Sequence, residues 1–240
     1  MSGEIQSAYL APEGLREPLL KEVGGVIAVH DQLILSSKPF INAHWAQNIW
    51  KNPVTLSIDS INDAAKKLKA IQLNWCLYSF TLHRRAKLIE EKLNPSKPKH
   101  MSFPTSLPLQ RIGSWCLLDE NTLLASANCS NPFKNGEPSF IEDKNGPPNR
   151  AYLKLYEALT LAEKTPKAGE FCLDFGGSPG GWAWVIHKCG AEVLSIDRSP
   201  LDEKISKLKG VSFKERDAFS LLPEELKKEG RSVNWFFSDV

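Results

Sequence analysis

What this sequence has little of narrows it first. No apolar run approaches the roughly eighteen residues that a membrane-spanning helix needs, so no membrane partner is expected. The opening MSGEIQSAYLAPEG has no basic start followed by an apolar core, the form of a secretory leader. Cysteine is scarce: five residues, Cys76, Cys116, Cys129, Cys172 and Cys189, odd in number and without a C-x-x-C pair. That pattern supports neither a disulfide framework nor a zinc site. It reads as small buried side chains in a reducing, cytoplasmic setting with no bound metal. There is no internal repeat and no G-x-G-x-x-G dinucleotide fingerprint.

Hydrophobic residues make up 42% and charged residues 24% of the 240, the balance of a globular chain with room for one large domain or two ordinary ones. Nothing in it sets an oligomeric state. The net charge of +2 conceals a basic stretch. Lys66, Lys67, Lys69, Arg84, Arg85, Lys87, Lys92, Lys97, Lys99 and Arg111 stand against Glu90 and Glu91, a net of +8. Counterion release draws such a surface to a phosphate backbone, although charge alone equally describes a solvated helix face plus a basic linker. The candidate RNA contacts are Lys66, Lys67, Lys69, Arg84, Arg85, Lys87, Lys97 and Lys99.

The first 148 residues mix short strands and helices. Ser7–Ala11 reads as a strand and Gly14–Val23 as a helix; Val26–Val29 and Leu33–Leu35 form a hairpin around Asp31. Pro53–Ile58 is strand-like, and Asp59 or Ser60 caps a helix through Ala70. Asn74–Leu82 and Ala86–Leu93 read as a further strand and helix, and Gly113–Leu118 with Thr122–Ala127 as another hairpin. Asn94–Pro108, rich in proline, reads as a linker or long loop, as does Pro132–Pro148. The alternation suggests a small α+β module.

From Asn149 the pattern becomes helix, strand, Gly-rich turn, helix, strand and acidic residue. Asn149 is placed to cap a helix carrying Tyr152, Leu155, Leu159 and Ala162. Strands follow at Phe171–Phe175, Glu192–Ile196, Val211–Lys214 and Asn234–Phe237, with a helix at Trp182–Cys189 that ends at Gly190. This is the sequence form of a doubly wound, Rossmann-like parallel sheet, so the fold class is α/β.

The candidate cofactor site is the loop Asp174–Trp182. Gly176, Gly177, Gly180 and Gly181 allow close approach of backbone to a ligand directly after a strand. Asp197 ends the next strand, where an acid can accept from two ribose hydroxyls. Asp217, with Ala218 beside it, follows the third strand within reach of an adenine amine. Taken singly these are turn glycines and solvent-facing acids; their joint register argues for a nucleoside. The spacing D-x-G-G-x-P-G-G-W favours S-adenosylmethionine over a dinucleotide. Pro179 removes an N–H that a pyrophosphate would want, and Asp174 repels phosphate while suiting the ammonium of an amino acid.

The string CLDFGGSPGGWAWV resembles the cofactor motif of the FtsJ-like ribose 2′-O-methyltransferases. Asn149-Arg150-Ala151-Tyr152-Leu153-Lys154-Leu155 resembles that family's S-R-A-x-x-K-L helix, and Trp235-Phe236-Phe237-Ser238-Asp239-Val240 its fourth-strand motif. The N-terminal layout is similar, more weakly, to the subfamily that methylates a cytidine ribose of bacterial large-subunit rRNA. This implies a ferredoxin-like α+β module over residues 1–70 and a THUMP-like RNA-binding region over 71–148. A Rossmann-like methyltransferase sheet then starts at 149. It implies S-adenosylmethionine as cofactor, RNA, specifically rRNA, as partner, and Lys154 and Asp239 as the first two members of a Lys-Asp-Lys-Glu catalytic tetrad. The family's second lysine and glutamate lie on later strands that this sequence does not supply. The expectation is therefore an incomplete sheet in a truncated chain, with Asn234–Phe237 as an exposed apolar edge. The alternative is a non-catalytic RNA-binding fragment with a vestigial cofactor half. A base or protein acceptor would call for an Asn-Pro-Pro-Tyr-like motif after the fourth strand, which Ser238-Asp239-Val240 is not.

Overall fold

Two units, each with its own apolar core, divide the chain: residues 1–99 with 108–139, and 100–107 with 140–240. The computed structural model describes residues 4–93, 100–108, 111–222, 224–225 and 232–239. Lys97 and Lys99 lie outside the described residues.

The first unit opens with β1 (Ser7–Leu10), α1 (Arg16–Glu22), β2 (Val26–His30) and β3 (Leu33–Ser36). The β2–β3 hairpin turns at Asp31, whose φ of +56° is a left-handed conformation that a short polar side chain tolerates. Next come β4 (Asn48–Lys51), β5 (Val54–Ser57), α2 (Ile61–Ile71), β6 (Trp75–Leu77) and α3 (His83–Leu93). The unit closes with β7 (Gly113–Leu117), β8 (Thr122–Ser126) and the short β9 (Asn128–Cys129). One antiparallel sheet runs in the order β2-β3-β1-β4-β9, and a mixed one in the order β5-β8-β7-β6 with β6 parallel to β7. Strands from either side of residue 70 thus share the second sheet, while β9 completes the first.

Helix α2 begins where a serine can cap it. Ser60 Oγ accepts from the Asp63 N–H at 3.1 Å, while the Asp63 carboxylate accepts from the Asp59 N–H at 3.1 Å. Ala64, Ala65 and Leu68 of α2 and Ala86, Ile89 and Leu93 of α3 fall at helical spacing. They pack with Trp75, Trp115, Leu117, Leu123 and Ala125 in one core, in which Trp115 is fully buried.

The second unit holds α4 (Tyr152–Ala162), β10 (Phe171–Phe175), α5 (Gly181–Lys188), β11 (Glu192–Asp197), α6 (Glu203–Ser206), β12 (Val211–Glu215) and β13 (Trp235–Ser238). All its strand pairs are parallel, in the order β12-β11-β10-β13. Alternation along each strand divides the sheet's faces. Cys172 and Val193 pack against Tyr152, Leu155, Ala183 and Ile186 of α4 and α5, while Phe171, Leu173, Leu194 and Ile196 form a second cluster with Ala218. At the outer strand β13, Trp235 and Phe237 pack on the first cluster, and Phe236 is 58% exposed.

Two local expectations change. Asn149 does not cap α4: its Oδ1 accepts from the Ala151 N–H two residues on, a local turn that competes with helix, and α4 starts at Tyr152. Within the proline-rich stretch Asn94–Pro108, residues 100–107 are more than a linker. Met101 bridges Phe140, and the Phe103 ring stacks on Tyr156 with centroids 4.0 Å apart, so apolar residues between the prolines join the core of the second unit.

Candidate functional site

Strand order sets where a ligand can sit. In a sheet ordered β12-β11-β10-β13 the connections reverse direction between β10 and β13, and the crevice beyond the carboxyl ends of those two strands is the topological switch point. The loop that follows β10 starts in that crevice.

The loop is shaped by what a side chain would collide with. A Cβ on Gly177 would lie 2.6 Å from Asp174 Oδ2 and 2.7 Å from Ser195 Cβ. Gly180, with φ at +110°, precedes α5 and leaves room for Ile205, whose Cγ2 would be 2.7 Å from a Cβ there. Gly176 is held to the sheet by its N–H, which donates to the Ile196 carbonyl at 2.9 Å. Trp182 lies in the first turn of α5, and its indole N–H donates to the Ala151 carbonyl at 3.0 Å, tying the loop to the start of α4.

Asp174 is 1% exposed, on the helix-covered face of β10, opposite Ser195 of β11. Ser195 Oγ donates to Asp174 Oδ2 at 2.9 Å, and Asp174 Oδ1 is buried with no hydrogen-bond partner among the described residues. Burial pushes the Asp174 carboxyl up to about 6; the Ser195 hydroxyl works against this, and Asp197 and Asp239 add to it. A buried acceptor without a partner costs about 1–3 kcal/mol, more when charged, so this oxygen suits a cationic ligand group. The crowded glycine beside it fits a ligand pressed against backbone. The residues present therefore fit the zwitterionic end of S-adenosylmethionine.

The other two acids serve the loops. Asp197 accepts from the Ser178 N–H at 3.0 Å and the Ser199 N–H at 2.9 Å, which pins the Gly-rich turn to the end of β11. A carboxylate has about four acceptor positions, so further hydroxyls can be received. Asp217 caps the short 3-10 turn Ala218–Ser220 through the Phe219 N–H and pairs with Arg198, whose guanidinium holds the Asp217 carboxyl below the usual range.

Lys154, in the first turn of α4, meets Asp239, which follows β13: Nζ lies 3.3 Å from Oδ1 and 3.2 Å from Oδ2. Both are solvent-accessible, at 66% and 40%, so the pair contributes at most about 1 kcal/mol to stability. Asp239 is anchored by its N–H, which donates to the Phe175 carbonyl at 3.2 Å, placing the pair beside the strand that feeds the loop.

In the first unit the basic candidates separate. Lys66, Lys69 and Arg84 are exposed. Lys67 is engaged by Asp63 at 2.8 Å and the Ser57 carbonyl at 2.7 Å, and Lys87 pairs with Glu90 at 2.6 Å. Arg85 is half-buried with its Nε enclosed. The five cysteines are free thiols, and burial pushes Cys76 and Cys172 up to about 12, away from reactive chemistry. No described helix is long and apolar enough to cross a membrane.

Three residues that contact the candidate acids were not read from the sequence: Ser195, Arg198 and Ser178. Ser195 did leave a signal, a hydroxyl inside the apolar run Glu192–Ile196, because a polar group in a central strand must find a partner.

Residues 147–240 match the family model described as FtsJ-like methyltransferase. The chain is 34% identical over 111 residues to the ribosomal RNA large subunit methyltransferase M of Halorhodospira halophila, covering 45% of this chain and 31% of that one. It is 30% identical over 190 residues to the protein of the same name from Xanthomonas axonopodis pv. citri, covering 75% and 48%. A putative hemolysin from Lactococcus lactis aligns over 40% of this chain and 47% of its own at 27% identity, with a TM-score of 0.37. The alignments thus span about a third to a half of the length of these methyltransferase relatives. The family match falls on the C-terminal unit, where the motifs resembling FtsJ-like methyltransferases were read.

Proposed function

We propose that this chain binds S-adenosylmethionine and directs its methyl group to a ribose 2′-hydroxyl of RNA, with large-subunit rRNA as the substrate class. The observation that carries this reading is the meeting of Lys154 and Asp239 at the mouth of the crevice, from positions 85 residues apart. A mutually held amine and carboxylate, half-exposed beside a cofactor loop, can orient a hydroxyl.

S-adenosylmethionine supplies an electrophilic sulfonium methyl group. Asp174 receives the ammonium end, and Gly176, Gly177, Pro179, Gly180, Gly181 and Trp182 shape the loop around it. Asp197 accepts from the ribose hydroxyls, and Asp217 with Ala218 borders the adenine. Lys154, steadied by Asp239, would hold an acceptor hydroxyl beside the loop, which removes orientational entropy from its reaction. In the resembled family a later lysine takes the hydroxyl proton, so Lys154 and Asp239 serve chiefly to orient.

The N-terminal unit supplies RNA affinity. In this reading the ferredoxin-like and THUMP-like parts, expected at 1–70 and 71–148, interleave their strands within that unit, with Lys66, Lys69 and Arg84 as the exposed contacts and Lys67, Arg85 and Lys87 in support. The setting is cytoplasmic, where rRNA is modified.

Calorimetric titration with S-adenosylmethionine tests the cofactor half. The parent binds, and Asp197→Ala binds at least about tenfold more weakly, the loss of a charge-assisted hydrogen bond. Equal affinity overturns the ribose assignment, and a parent that does not bind overturns the cofactor reading. RNA affinity should fall steeply with salt, and a flat profile removes the basic helices as the contact.

A further inference from the structure

The hydroxyl of Ser195 has no place in the reading above. It sits on the middle of β11, fully buried, where a parallel strand pair demands nothing but an apolar side chain. Its register partner is Asp174, and its hydrogen bond occupies one carboxylate oxygen and leaves the other bare. The loop glycine Gly177 lies against both residues, so the pair is built into the turn that receives the cofactor.

We propose that Ser195 is a positioning residue for cofactor capture: by anchoring Oδ2 of Asp174 it leaves Oδ1 as the buried, unpaired acceptor that the cofactor's ammonium group completes. This rests on the S-adenosylmethionine reading. The hydroxyl donates to the ionised carboxylate and so favours the charged form that an ammonium needs. Without it, a carboxyl already disfavoured by burial holds its proton to higher pH.

The charged groups bearing on Asp174 are Asp197 at the end of β11 and Asp239 after β13, the latter paired with Lys154 of α4. Cys172, two residues back on the same face, is held neutral by burial, and α5 contributes the apolar Ala183 and Ile186 to the cluster around it. Both neighbouring acids oppose ionisation of Asp174, and within this group the Ser195 hydroxyl is what favours it.

The test is the pH profile of S-adenosylmethionine binding to the 240-residue chain, read by calorimetry for the parent, Ser195→Ala and Asp174→Asn. In the parent, affinity falls as pH drops through about 6, the value at which Asp174 takes up its proton. In Ser195→Ala the same fall is displaced upward by about one to two pH units, so affinity at about pH 7 is roughly two- to tenfold lower, the gap widens toward roughly ten- to a hundredfold below pH 6, and the two proteins converge at higher pH. Asp174→Asn binds weakly with a flat profile. Loss of affinity by one factor at every pH, the mark of a packing role, overturns the proposal, as does an unchanged profile. A second readout needs no cofactor: the carboxyl carbon resonance of Asp174 in the free protein titrates at higher pH in Ser195→Ala. An unmoved midpoint sinks the idea. A parent that binds at no pH overturns the cofactor reading itself, while the carboxyl titration still reports whether Ser195 controls Asp174.

Discussion

Both units bury hydroxyls that serve the backbone, Thr160 among them in the C-terminal unit, but one buried hydroxyl there serves a carboxylate. In the N-terminal unit the hydroxyls of Ser7, Ser36 and Ser126 each donate to a backbone carbonyl, of Lys38, Gly24 and Lys51, at 2.7–2.9 Å. These are neutral groups that close gaps between strands and turns. In the C-terminal unit the buried Ser195 instead serves Asp174, the one carboxylate among the buried polar residues described, and the pair is left one hydrogen bond short. A fold that needed only stability would not keep that arrangement, because an incomplete buried carboxylate is a net cost. The contrast is between hydroxyls that complete the backbone and one that, in the proposed reading, readies a carboxylate for a ligand.

The comparison can be broken at several points. The largest expected effect is on chemistry rather than folding. In a protein that also carries the family's later lysine, Lys154→Ala lowers methyl transfer to rRNA by about a hundredfold through lost orientation, while urea unfolding shifts by less than about 1 kcal/mol. A large stability loss would recast Lys154 as structural. Next, Asp174→Asn removes the burden of a carboxyl raised to about 6 from an ordinary 3.8. A raised carboxylate destabilises the fold above its folded-state value, and this penalty vanishes below its unfolded-state value. The variant should therefore be more stable than the parent above pH 6, by on the order of 2–3 kcal/mol, with the gap closing as pH falls to about 4. Paired urea denaturations at pH 7.5 and pH 4 read this directly, and a gap that widens toward acid would reverse the assignment.

Gly177→Ala pushes a methyl group into the Asp174–Ser195 pair and should cost about 1–3 kcal/mol, with cofactor affinity falling alongside. Preserved affinity would mean that the turn does not hold the ligand. The smallest effect isolates the contrast between hydroxyls. Ser126→Ala loses a neutral hydrogen bond and should cost about 1 kcal/mol equally at pH 6 and pH 8. Ser195→Ala should change with pH. If the two behave alike, the distinction drawn between the units fails.

Much of the second unit was legible in the primary structure. The four strands lie within one residue of their expected positions, since short apolar runs bounded by Gly, Pro and Asp leave few alternatives. The Gly-rich loop was legible because backbone that approaches a ligand closely admits no other residue. Boundaries set by side-chain competition were less so: Asn149 turned back on its own backbone in place of capping α4, and 100–107 supplied core residues from a segment whose prolines suggested a linker. In the first unit the basic stretch was visible as charge, yet which lysines are spent on local carboxylates depended on helix phase. Lys67 finds Asp63 one turn earlier and Lys87 finds Glu90 three residues later.

The amino-acid order by itself determined the α/β class of the C-terminal unit, the Gly-rich loop and the acids at the strand ends. Each of these follows from local rules: the two-residue period of a strand, the 3.6-residue period of a helix, and the steric freedom of glycine. Tertiary structure alone decided the two pairings on which the proposed chemistry rests, Lys154 with Asp239 and Asp174 with Ser195. Those depend on which strands become neighbours and in what register. That choice is collective, fixed by burying the whole apolar face of the sheet at once, and no single segment carries it.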